Sequence, residues 1–368
     1  MKILVISNLF PPEVLGGYEI LCQQVCEGLR QAGHDILVLT TPAARPDSRA
    51  WVKRSLKLFL PFSRPARGRY RWNQAVCFQH NTKATQSCLE QFRPDVVFVW
   101  SQRRLTLACA KVCQAAGHPV CYTFNDEYLS FYAPAPMMGP LSYSGLDLSR
   151  STCISAKLKA NLLRTGAPIE DSKVIHQGIP LAGFPLRNRP VNKLERLLYV
   201  GQLHPYKGVH TAVEAAHRTG LPLTIVGHGP ADYLRYLKNL AQEGPAKVTF
   251  RGQVAASEVS ESYRRHDALL FPSVWEEPFG LTHLEAMASG LPVVSTVNGG
   301  QGEFLKDGHN CLTFAPGDSL ALAAQLKRLQ TNPRLLQRLA EVGRDTVESD
   351  FSLQGYQQRL ISFLGAAA

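Results

Sequence analysis

Short apolar runs alternate with segments of helical spacing along nearly the whole chain. Residues 2–7 and 35–40 are runs of this kind, and between them residues 18–32 carry apolar side chains three and four positions apart. Strands that alternate with helices are typical of βαβ units, in which helices cover both faces of a parallel sheet. The pattern therefore predicts an α/β fold built on parallel sheets.

The same reading extends over the rest of the chain. Strands are predicted at 2–7, 35–40, 96–100, 120–124, 173–175, 197–200, 223–226, 247–250, 268–271 and 292–295, and helices at 18–32, 105–116, 155–165, 208–218, 231–242 and 281–289, with further helices toward the C-terminus. A single hydrophobic core seldom extends beyond about 250–300 residues, so 368 residues are expected to form two domains. The polar, proline-containing segment 183–195 indicates a linker. We therefore predict domains over 1–182 and 196–350, followed by a C-terminal helix over 351–368.

The chain is basic, with 40 Lys+Arg against 29 Asp+Glu. This charge favours an anionic partner such as a nucleotide or a membrane surface. No nucleic-acid module accompanies it, so nucleic acid is not expected as a partner. The nine cysteines are scattered and odd in number, which favours free thiols in a reducing compartment. No apolar run has the roughly 18–20 residues of a membrane span, and the N-terminus favours a buried strand over a signal peptide. The cytoplasm is the expected location.

The segment Glu277–Gly280, EPFG, follows an apolar strand and precedes a helix. Unpaired N–H groups and the helix dipole make such a turn suitable for a phosphate, and Gly280 allows a close backbone approach. Glu285 lies in the helix, where a carboxylate can accept two hydrogen bonds from vicinal hydroxyls such as those of a ribose. In the alternative, Glu277 caps the helix and Glu285 lies on a solvated face. The apolar neighbours of Glu285 argue against that alternative.

Two further turns between a strand and a helix contain glycine. In GQLHPYKG, at 201–208, Lys207 is placed to meet a phosphate as a point charge, although it could also be an ordinary surface lysine. In GHGP, Gly227 and Gly229 lack the third glycine and the downstream acid of a dinucleotide-binding fingerprint. The second turn is therefore weak evidence when taken alone.

Together and in this order, the motifs resemble family 4 of the glycosyltransferases, which are retaining enzymes with the GT-B fold. The matching pieces are GGYE at 16–19, GQLHPYKG at 201–208, IVGHGP at 225–230, VTFRGQV at 248–254, EPFGLTHLEAMASGLPVV at 277–294 and GG at 299–300. The resemblance covers nearly the whole chain and is thinnest between 45 and 91. The spacing of the two glutamates in this context is specific, whereas each glycine turn is not.

The resemblance implies two Rossmann-like α/β/α domains that face each other across a cleft, with C-terminal helices packing back toward the first domain. It implies that Glu285 holds the ribose, that Glu277 holds the sugar, and that Lys207 neutralises the diphosphate leaving group. The remaining substrate-binding residues it implies are Gly16 and Gly17 in the first domain, and Gln202, His204, Gly227, Gly229, Arg251, Phe279, Gly280 and Leu281 in the second.

The implied reaction moves a sugar from a UDP-, GDP- or ADP-sugar to a glycan, a lipid-linked molecule or a small molecule, with retention of anomeric configuration. No cofactor or divalent metal is expected, because Lys207 and the helix start supply the positive field that the diphosphate needs. The base would be read largely by backbone near 251–254. Alternatives are a sugar-nucleotide epimerase or a phosphorylase of the same fold, or a binding protein that has lost catalysis.

Two departures from the family pattern bear on the site. Gln202 stands where the family often has arginine, so Lys207, Arg251 or a nearby histidine would carry more of the phosphate charge. Asn125 and Asp126 stand where a histidine commonly ends a strand of the first domain. Asn125 could bond a sugar hydroxyl, and Asp126 or Glu127 could act as the acceptor-side base. Asp126 could equally cap the segment that follows it.

Residues 45–72 form a basic and aromatic stretch. From 45 to 71 there are nine Lys and Arg residues and one acid, Asp47, interleaved with aromatic and aliphatic side chains. Such a segment can lie on an anionic membrane surface. We therefore hypothesise a peripheral contact at the inner face of a membrane and a lipid-linked acceptor. The equally weighted alternative is a basic loop whose aromatic side chains pack inward.

Overall fold

A computed structural model describes residues 1–60, 71–132, 142–187 and 192–368. The chain divides into two compact units. The first contains Met1–His176 together with Tyr356–Ala368, and the second contains Gln177–Gly355. The domain limits inferred from the sequence, at 182, 195 and 350, stay predictions.

The first unit is a parallel sheet of seven strands covered by helices. Its strands are β1 (Lys2–Ser7), β2 (Asp35–Thr40), β3 (Val52–Arg54), β4 (Val96–Ser101), β5 (Val120–Phe124), β6 (Ser151–Cys153) and β7 (Lys173–Val174), and its helices are α1 (Gly17–Gln31), α2 (Arg71–Phe92), α3 (Ala108–Ala115) and α4 (Ala156–Arg164). The strand order is β3-β2-β1-β4-β5-β6-β7. Ile3 lies opposite Ile36 on one side and Val96 on the other, and all three are buried, as expected for a central strand covered on both faces.

The second unit repeats this architecture with six parallel strands. Its strands are β8 (Leu197–Val200), β9 (Leu223–Val226), β10 (Val248–Gly252), β11 (Ala268–Phe271), β12 (Val293–Ser295) and β13 (Leu312–Thr313), and its helices are α5 (Val209–Thr219), α6 (Ala231–Leu240), α7 (Ala256–Arg265), α8 (Leu281–Ala288), α9 (Ser319–Thr331) and α10 (Pro333–Asp350). The strand order is β10-β9-β8-β11-β12-β13. Helix α11 (Leu353–Gly365) follows, and from Tyr356 onward it belongs to the first unit.

The predicted α/β fold with two parallel sheets is confirmed, and most predicted elements are present within a few residues of their expected limits. The helix predicted over 105–116 begins only at Ala108, because Arg104 and Thr106 have φ values of 65° and 67°, which no helix accommodates. The sequence reading predicted helical structure near the C-terminus only over the last forty residues. It missed β3, β6 and β13, which are two or three residues long, and it missed the helices α2 and α7 and most of α9.

In both sheets the strand order reverses at one place, between β1 and β4 in the first unit and between β8 and β11 in the second. Open α/β sheets bind ligands outside the carboxyl ends of the strands at such a reversal. The fold thus directs attention to the loops that follow these four strands. Among the helices in the described part of the chain, none is both long and apolar enough to cross a bilayer.

Candidate active site

Lys207 and Glu277 meet where β8 and β11 end, at the reversal point of the second sheet. The Lys207 Nζ lies 2.6 Å from Oε1 and 2.8 Å from Oε2 of Glu277. Ser273, just after β11, donates a hydrogen bond of 2.6 Å to the same Oε1. The side chains of Lys207 and Glu277 are 18% and 9% exposed, so this ion pair is largely shielded from water.

Backbone hydrogen bonds fix the two loops that carry the pair. The carbonyl oxygen of Tyr206 accepts from the N–H groups of Val274 and Trp275, each at 3.0 Å. The N–H of Gly300 donates to the carbonyl oxygen of Glu277 at 2.7 Å. The loops after β8, β11 and β12 therefore hold one another, and the ion pair is positioned before any ligand arrives.

The glycines of the predicted motifs permit this close backbone packing. Gly208 has a φ of 65°, and a Cβ there would collide with the carbonyl oxygen of Pro272. A Cβ on Gly227 would collide with the carbonyl oxygen of Gly201, and one on Gly229 with that of Leu203. The backbones of the loops after β8 and β9 are thus so close that a residue with a side chain would not fit at Gly227 or Gly229.

Glu285 lies on α8 and is held by Tyr263 of α7. The Tyr263 hydroxyl donates a hydrogen bond of 2.8 Å to Oε2 of Glu285. Burial raises the pKa of the Glu285 carboxyl to about 7, and the hydrogen bond from Tyr263 acts in the opposite direction. The carboxylate is half-buried, so a ligand can still reach it.

At the start of α8, a glycine in an unusual backbone conformation lies next to buried aromatic side chains. Gly280 has a φ of 129°, which strongly favours glycine. The ring of Phe279 is buried against Phe304 and Phe351, with centroids 5.2 and 5.9 Å away, so the ring packs in the core. His283 is fully buried, its Nε2 lies 2.8 Å from the Ser295 hydroxyl, and burial lowers its pKa to about 3. His283 is therefore neutral and supports the turn.

The other predicted residues of the second unit lie at the same edge of the sheet. Gln202 follows β8, and its carbonyl oxygen accepts a 2.8 Å hydrogen bond from Tyr199. The His204 ring stacks on Tyr206 at 5.0 Å, and its pKa is lowered by burial and by the charge of Lys207. Arg251 is exposed in β10, and Leu281 is the first residue of α8. The binding roles inferred for these residues stay predictions.

Three residues that contact or support the candidate site were not predicted from the sequence: Ser273, Tyr263 and His283. Ser273 precedes the EPFG motif by only a few positions, and a serine at a strand end was a signal that could have been used. Tyr263 lies 22 residues before its partner Glu285. No spacing rule connects a tyrosine and a glutamate on two different helices, so that contact is visible only in the fold.

In the first unit, Gly16 and Gly17 follow the loop after β1 and begin α1. The Gly16 N–H donates a 2.9 Å hydrogen bond to Oε2 of the buried Glu19, and the residues form a capping arrangement. Asn125 follows β5 and donates a 3.0 Å hydrogen bond to the carbonyl oxygen of Trp100. This bond fixes the orientation of the Asn125 amide.

Asp126 makes the capping contact that was one of its two expected roles. Its Oδ1 accepts from the N–H of Tyr128 at 2.8 Å, and its Oδ2 lies 3.2 Å from Nη1 of Arg103. Burial raises the pKa of Asp126, and the Arg103 charge opposes that shift. A carboxylate of raised pKa is a better proton acceptor, so the contacts are compatible with the second expected role as well.

In the described part of the basic stretch, two of the arginines are engaged by Asp47. Asp47 pairs with both Arg49 and Arg54 at 2.7 Å, and Arg54 also donates to the carbonyl oxygen of Thr41 at 3.0 Å. The Trp51 ring packs edge-on against Phe10, at 5.8 Å. Hydrogen bonds from both arginines lower the pKa of Asp47. Residues 61–70 of the stretch lie outside the described part, and the side chain of Trp72 is likewise not described.

The described residues contain no group of three or more His, Cys, Asp and Glu side chains that could hold a metal ion. Lys207, which pairs with Glu277 of the EPFG segment, brings a positive charge to the candidate site.

Solved structures with this architecture are GT-B glycosyltransferases. Anabaena HepE in complex with UDP-glucose superposes with a TM-score of 0.79 at 19% identity, and sucrose-phosphate synthase from Thermosynechococcus elongatus with 0.77 at 22%, each over 100% of both chains. Glycogen synthase from Mycobacterium tuberculosis is 29% identical over 96% of this chain and 92% of its own.

Two family models divide the chain between them. Glycosyltransferase Family 4 matches residues 15–182, and Glycosyl transferases group 1 matches residues 187–346. The chain therefore belongs to the family 4 (group 1) glycosyltransferases, and it is a sugar-transferring enzyme.

Proposed function

We propose that this enzyme transfers a sugar from a nucleotide-sugar donor, bound at the strand ends of the second unit, to a carbohydrate or lipid-linked acceptor. The observation that carries the proposal is the Lys207–Glu277 ion pair at the reversal point of the sheet, with Glu285 on the helix that follows. A diphosphate needs a cation, a sugar needs acceptors for its hydroxyl groups, and a ribose needs a carboxylate for its diol. In this site Lys207 would supply the cation, Glu277 the acceptors and Glu285 the carboxylate for the ribose.

Lys207 would neutralise the diphosphate leaving group. Its ammonium is now shared between the two carboxylate oxygens of Glu277. A diphosphate would compete for this ammonium, and charge would build on it as the bond to the sugar breaks. The start of α8 follows the same loop, and the positive end of its helix dipole would favour an anion. Because Gln202 is uncharged, Lys207 would carry most of this stabilisation.

Glu277 and Glu285 would recognise hydroxyl groups at the two ends of the donor. Glu277, with the backbone of Phe279 and Gly280, would hold the sugar, and Glu285 would hold the ribose diol. UDP-glucose is bound in the Anabaena HepE structure, which supports a nucleotide sugar as the ligand of this architecture. The base and the sugar used by this chain are left to experiment, with UDP-, GDP- and ADP-sugars as candidates.

We also propose that transfer retains the anomeric configuration and needs no divalent metal. Glu277 is occupied by Lys207 and Ser273, which makes it a poor nucleophile and favours same-face attack without a covalent intermediate. Nuclear magnetic resonance of the product gives the anomeric configuration directly. Activity that survives an excess of EDTA would support metal independence, and loss of activity that Mg²⁺ restores would refute it.

We also propose a lipid-linked acceptor and a membrane contact through residues 45–72. Arg49 and Arg54 are engaged by Asp47, whereas Arg45 and Lys57 are exposed and still offer charge to an anionic surface. Co-sedimentation with vesicles containing phosphatidylserine tests this at low and physiological salt. Failure to bind at low salt would refute the membrane contact and leave the donor-site proposal intact.

The donor proposal is tested by thermal stability in the presence of UDP-, GDP- and ADP-glucose. A ligand that binds only the folded protein at 100 times its Kd adds about 2.7 kcal/mol, and the melting temperature should follow. Glu285→Ala should remove most of this gain with the best ligand, while a surface variant such as Glu341→Ala should keep it. Absence of any gain with all three donors and their free diphosphates would contradict the proposal.

A further inference from the structure

Tyr263 is one of the most completely buried side chains of the second unit. Its ring is 0% exposed and packs against Phe184 with centroids 6.1 Å apart. Its hydroxyl nevertheless meets Glu285, the carboxylate that has a half-buried position next to the candidate site. The tyrosine thus reaches from the core of the unit to a group that a ligand can contact.

When Glu285 is ionised, chemistry fixes the direction of its hydrogen bond with Tyr263. Burial and the neighbouring Glu285 charge raise the pKa of the Tyr263 phenol well above its ordinary value, so the hydroxyl keeps its proton. An ionised carboxylate has no proton to donate and can only accept. Tyr263 therefore donates, and in the described part of the chain it is the hydrogen-bond donor that engages the Glu285 carboxylate.

A carboxylate that is held by one oxygen has lost most of its rotational freedom. A glutamate side chain has several rotatable bonds, and ordering them on ligand binding opposes affinity. Here the hydrogen bond from Tyr263, whose ring is immobilised in the core, orders the Glu285 side chain before a ligand binds. One oxygen is engaged by the phenol and the other is left for a ligand.

We propose that Tyr263 is a positioning residue for nucleotide recognition, whose hydroxyl holds Oε2 of Glu285 so that the carboxylate is preorganised for the ribose diol. This inference rests on the ribose role proposed above for Glu285. It goes beyond that role because it assigns part of the discrimination between ribose and deoxyribose to a residue that touches no ligand.

The test compares nucleotide pairs that differ only in the 2′-hydroxyl. Affinities of the full-length protein for UDP, GDP and ADP and for their 2′-deoxy counterparts are measured by titration calorimetry. The wild type should prefer the ribose form of its best nucleotide by about tenfold, as expected for a hydrogen bond to a charged group. In Tyr263→Phe this preference should shrink to less than about threefold, while the affinity for the deoxy form changes little.

The matched control is Tyr233→Phe. Tyr233 is also a largely buried tyrosine of the second unit, and its hydroxyl lies 3.0 Å from Nδ1 of His210 instead of at the site. This variant should lose stability to a similar extent but keep the full ribose preference. Tyr263→Met, which also lacks the hydroxyl and repacks flexibly, carries the same expectation as Tyr263→Phe, so the result does not depend on a single variant folding.

A second readout separates positioning from simple structural support. The hydrogen bond from Tyr263 stabilises the ionised form of Glu285. Without it, the pH at which nucleotide affinity reaches half of its maximum should move upward in Tyr263→Phe. A Tyr263→Phe protein that is less stable but keeps the wild-type ribose preference and the wild-type pH midpoint would overturn the inference.

The proposed function fails in a different way. If the wild type binds none of the nucleotides, or binds ribose and deoxyribose forms equally, then the ribose role of Glu285 is wrong and the inference falls with it. If the wild type discriminates and both Tyr263 variants discriminate equally well, only the inference about Tyr263 is wrong.

Discussion

At the scale of single residues, Lys207 has one observed contact and one proposed function, and variants can separate the two. It neutralises the shielded Glu277 in the free enzyme, and we propose that it neutralises the diphosphate in the reaction. Lys207→Met should lower the transfer rate by about 10²–10³-fold, as expected when a donor to a developing charge is removed. It should also lower the free energy of unfolding by about 3 kcal/mol, since it leaves a largely buried carboxylate unpaired. Urea denaturation and steady-state kinetics measure the two effects.

The double variant Lys207→Met, Glu277→Gln separates the contact from the proposed function. Removing the carboxylate charge should recover much of the lost stability, because no unpaired charge is then buried. The transfer rate should stay low, because the cation is still missing. Recovery of activity together with stability would show that Lys207 acts only as a structural partner of Glu277.

If Glu285 holds the ribose as proposed, nucleotide binding should depend on pH. Burial raises its pKa to about 7, and the ribose hydroxyls would donate to its ionised form. Affinity should therefore rise about tenfold between pH 6 and pH 8, following the ionised fraction. Calorimetry across this range tests the expectation. Glu285→Gln is the control, because any dependence that remains there belongs to the phosphate of the ligand itself.

The Glu285 carboxyl also affects the stability of the free enzyme, which should fall as pH rises, whereas nucleotide affinity should rise. The pKa of Glu285 is raised in the folded state from its ordinary value of 4.5 to about 7. Between these values the folded protein holds a proton that the unfolded chain has released, so the free energy of unfolding falls as pH rises. The loss amounts to at most about 3 kcal/mol between pH 4.5 and 7. In Glu285→Gln this part of the pH dependence should vanish.

At the scale of elements, the two glycines that flank α5 provide a matched pair. Gly208 and Gly220 have φ values of 65° and 68°, so alanine is strained at both positions. A Cβ on Gly220 has no atom within 4 Å, whereas one on Gly208 collides with the carbonyl oxygen of Pro272. Gly220→Ala should cost about 1–2 kcal/mol from backbone strain alone, and Gly208→Ala clearly more. Urea denaturation of the two variants gives the comparison, and equal losses would contradict it.

Elements with one apolar stripe or one apolar run were predictable from the sequence, and elements held by polar contacts were not. The central strands β1, β4 and β8 are continuous apolar runs and were placed within a residue. Helix α2 was missed because its packing depends on Asn81. That side chain accepts from the N–H of Lys57 at 2.8 Å and donates to the carbonyl oxygen of Leu105 at 2.7 Å. No periodicity of apolar residues reports such contacts.

Some features of the candidate site were likewise predictable from the sequence, and others were not. Lys207, Glu277 and Glu285 stand in motifs between a strand and a helix, so their neighbourhood follows from the topology of a parallel sheet. The direct contact between Lys207 and Glu277 joins residues 70 apart in sequence, and nothing local encodes it. The departures at Gln202 and Asn125 were visible in the sequence, but the hydrogen bond that fixes the Asn125 amide was not.

At the scale of the whole molecule, the last residues of the chain pack as part of the first unit. Tyr356, Leu360 and Leu364 of α11 are buried, and the Gln357 side chain donates a 3.0 Å hydrogen bond to the carbonyl oxygen of Gln24. The first unit therefore completes its core only after the second unit has been synthesised. The stability of the first unit thus depends on a segment that lies outside the candidate site of the second unit.

Deletion of residues 356–368 should consequently act on the first unit alone. The buried side chains of α11 contribute about 1.5–3 kcal/mol each, so the deletion should lower the melting temperature of the first unit strongly. Nucleotide affinity should stay within about twofold of wild type, since Lys207, Glu277 and Glu285 lie in the second unit. Calorimetric unfolding with and without nucleotide measures both quantities, and deletion of 366–368 alone serves as the control. Loss of nucleotide binding in the longer deletion would show that the second unit depends on the first for its site.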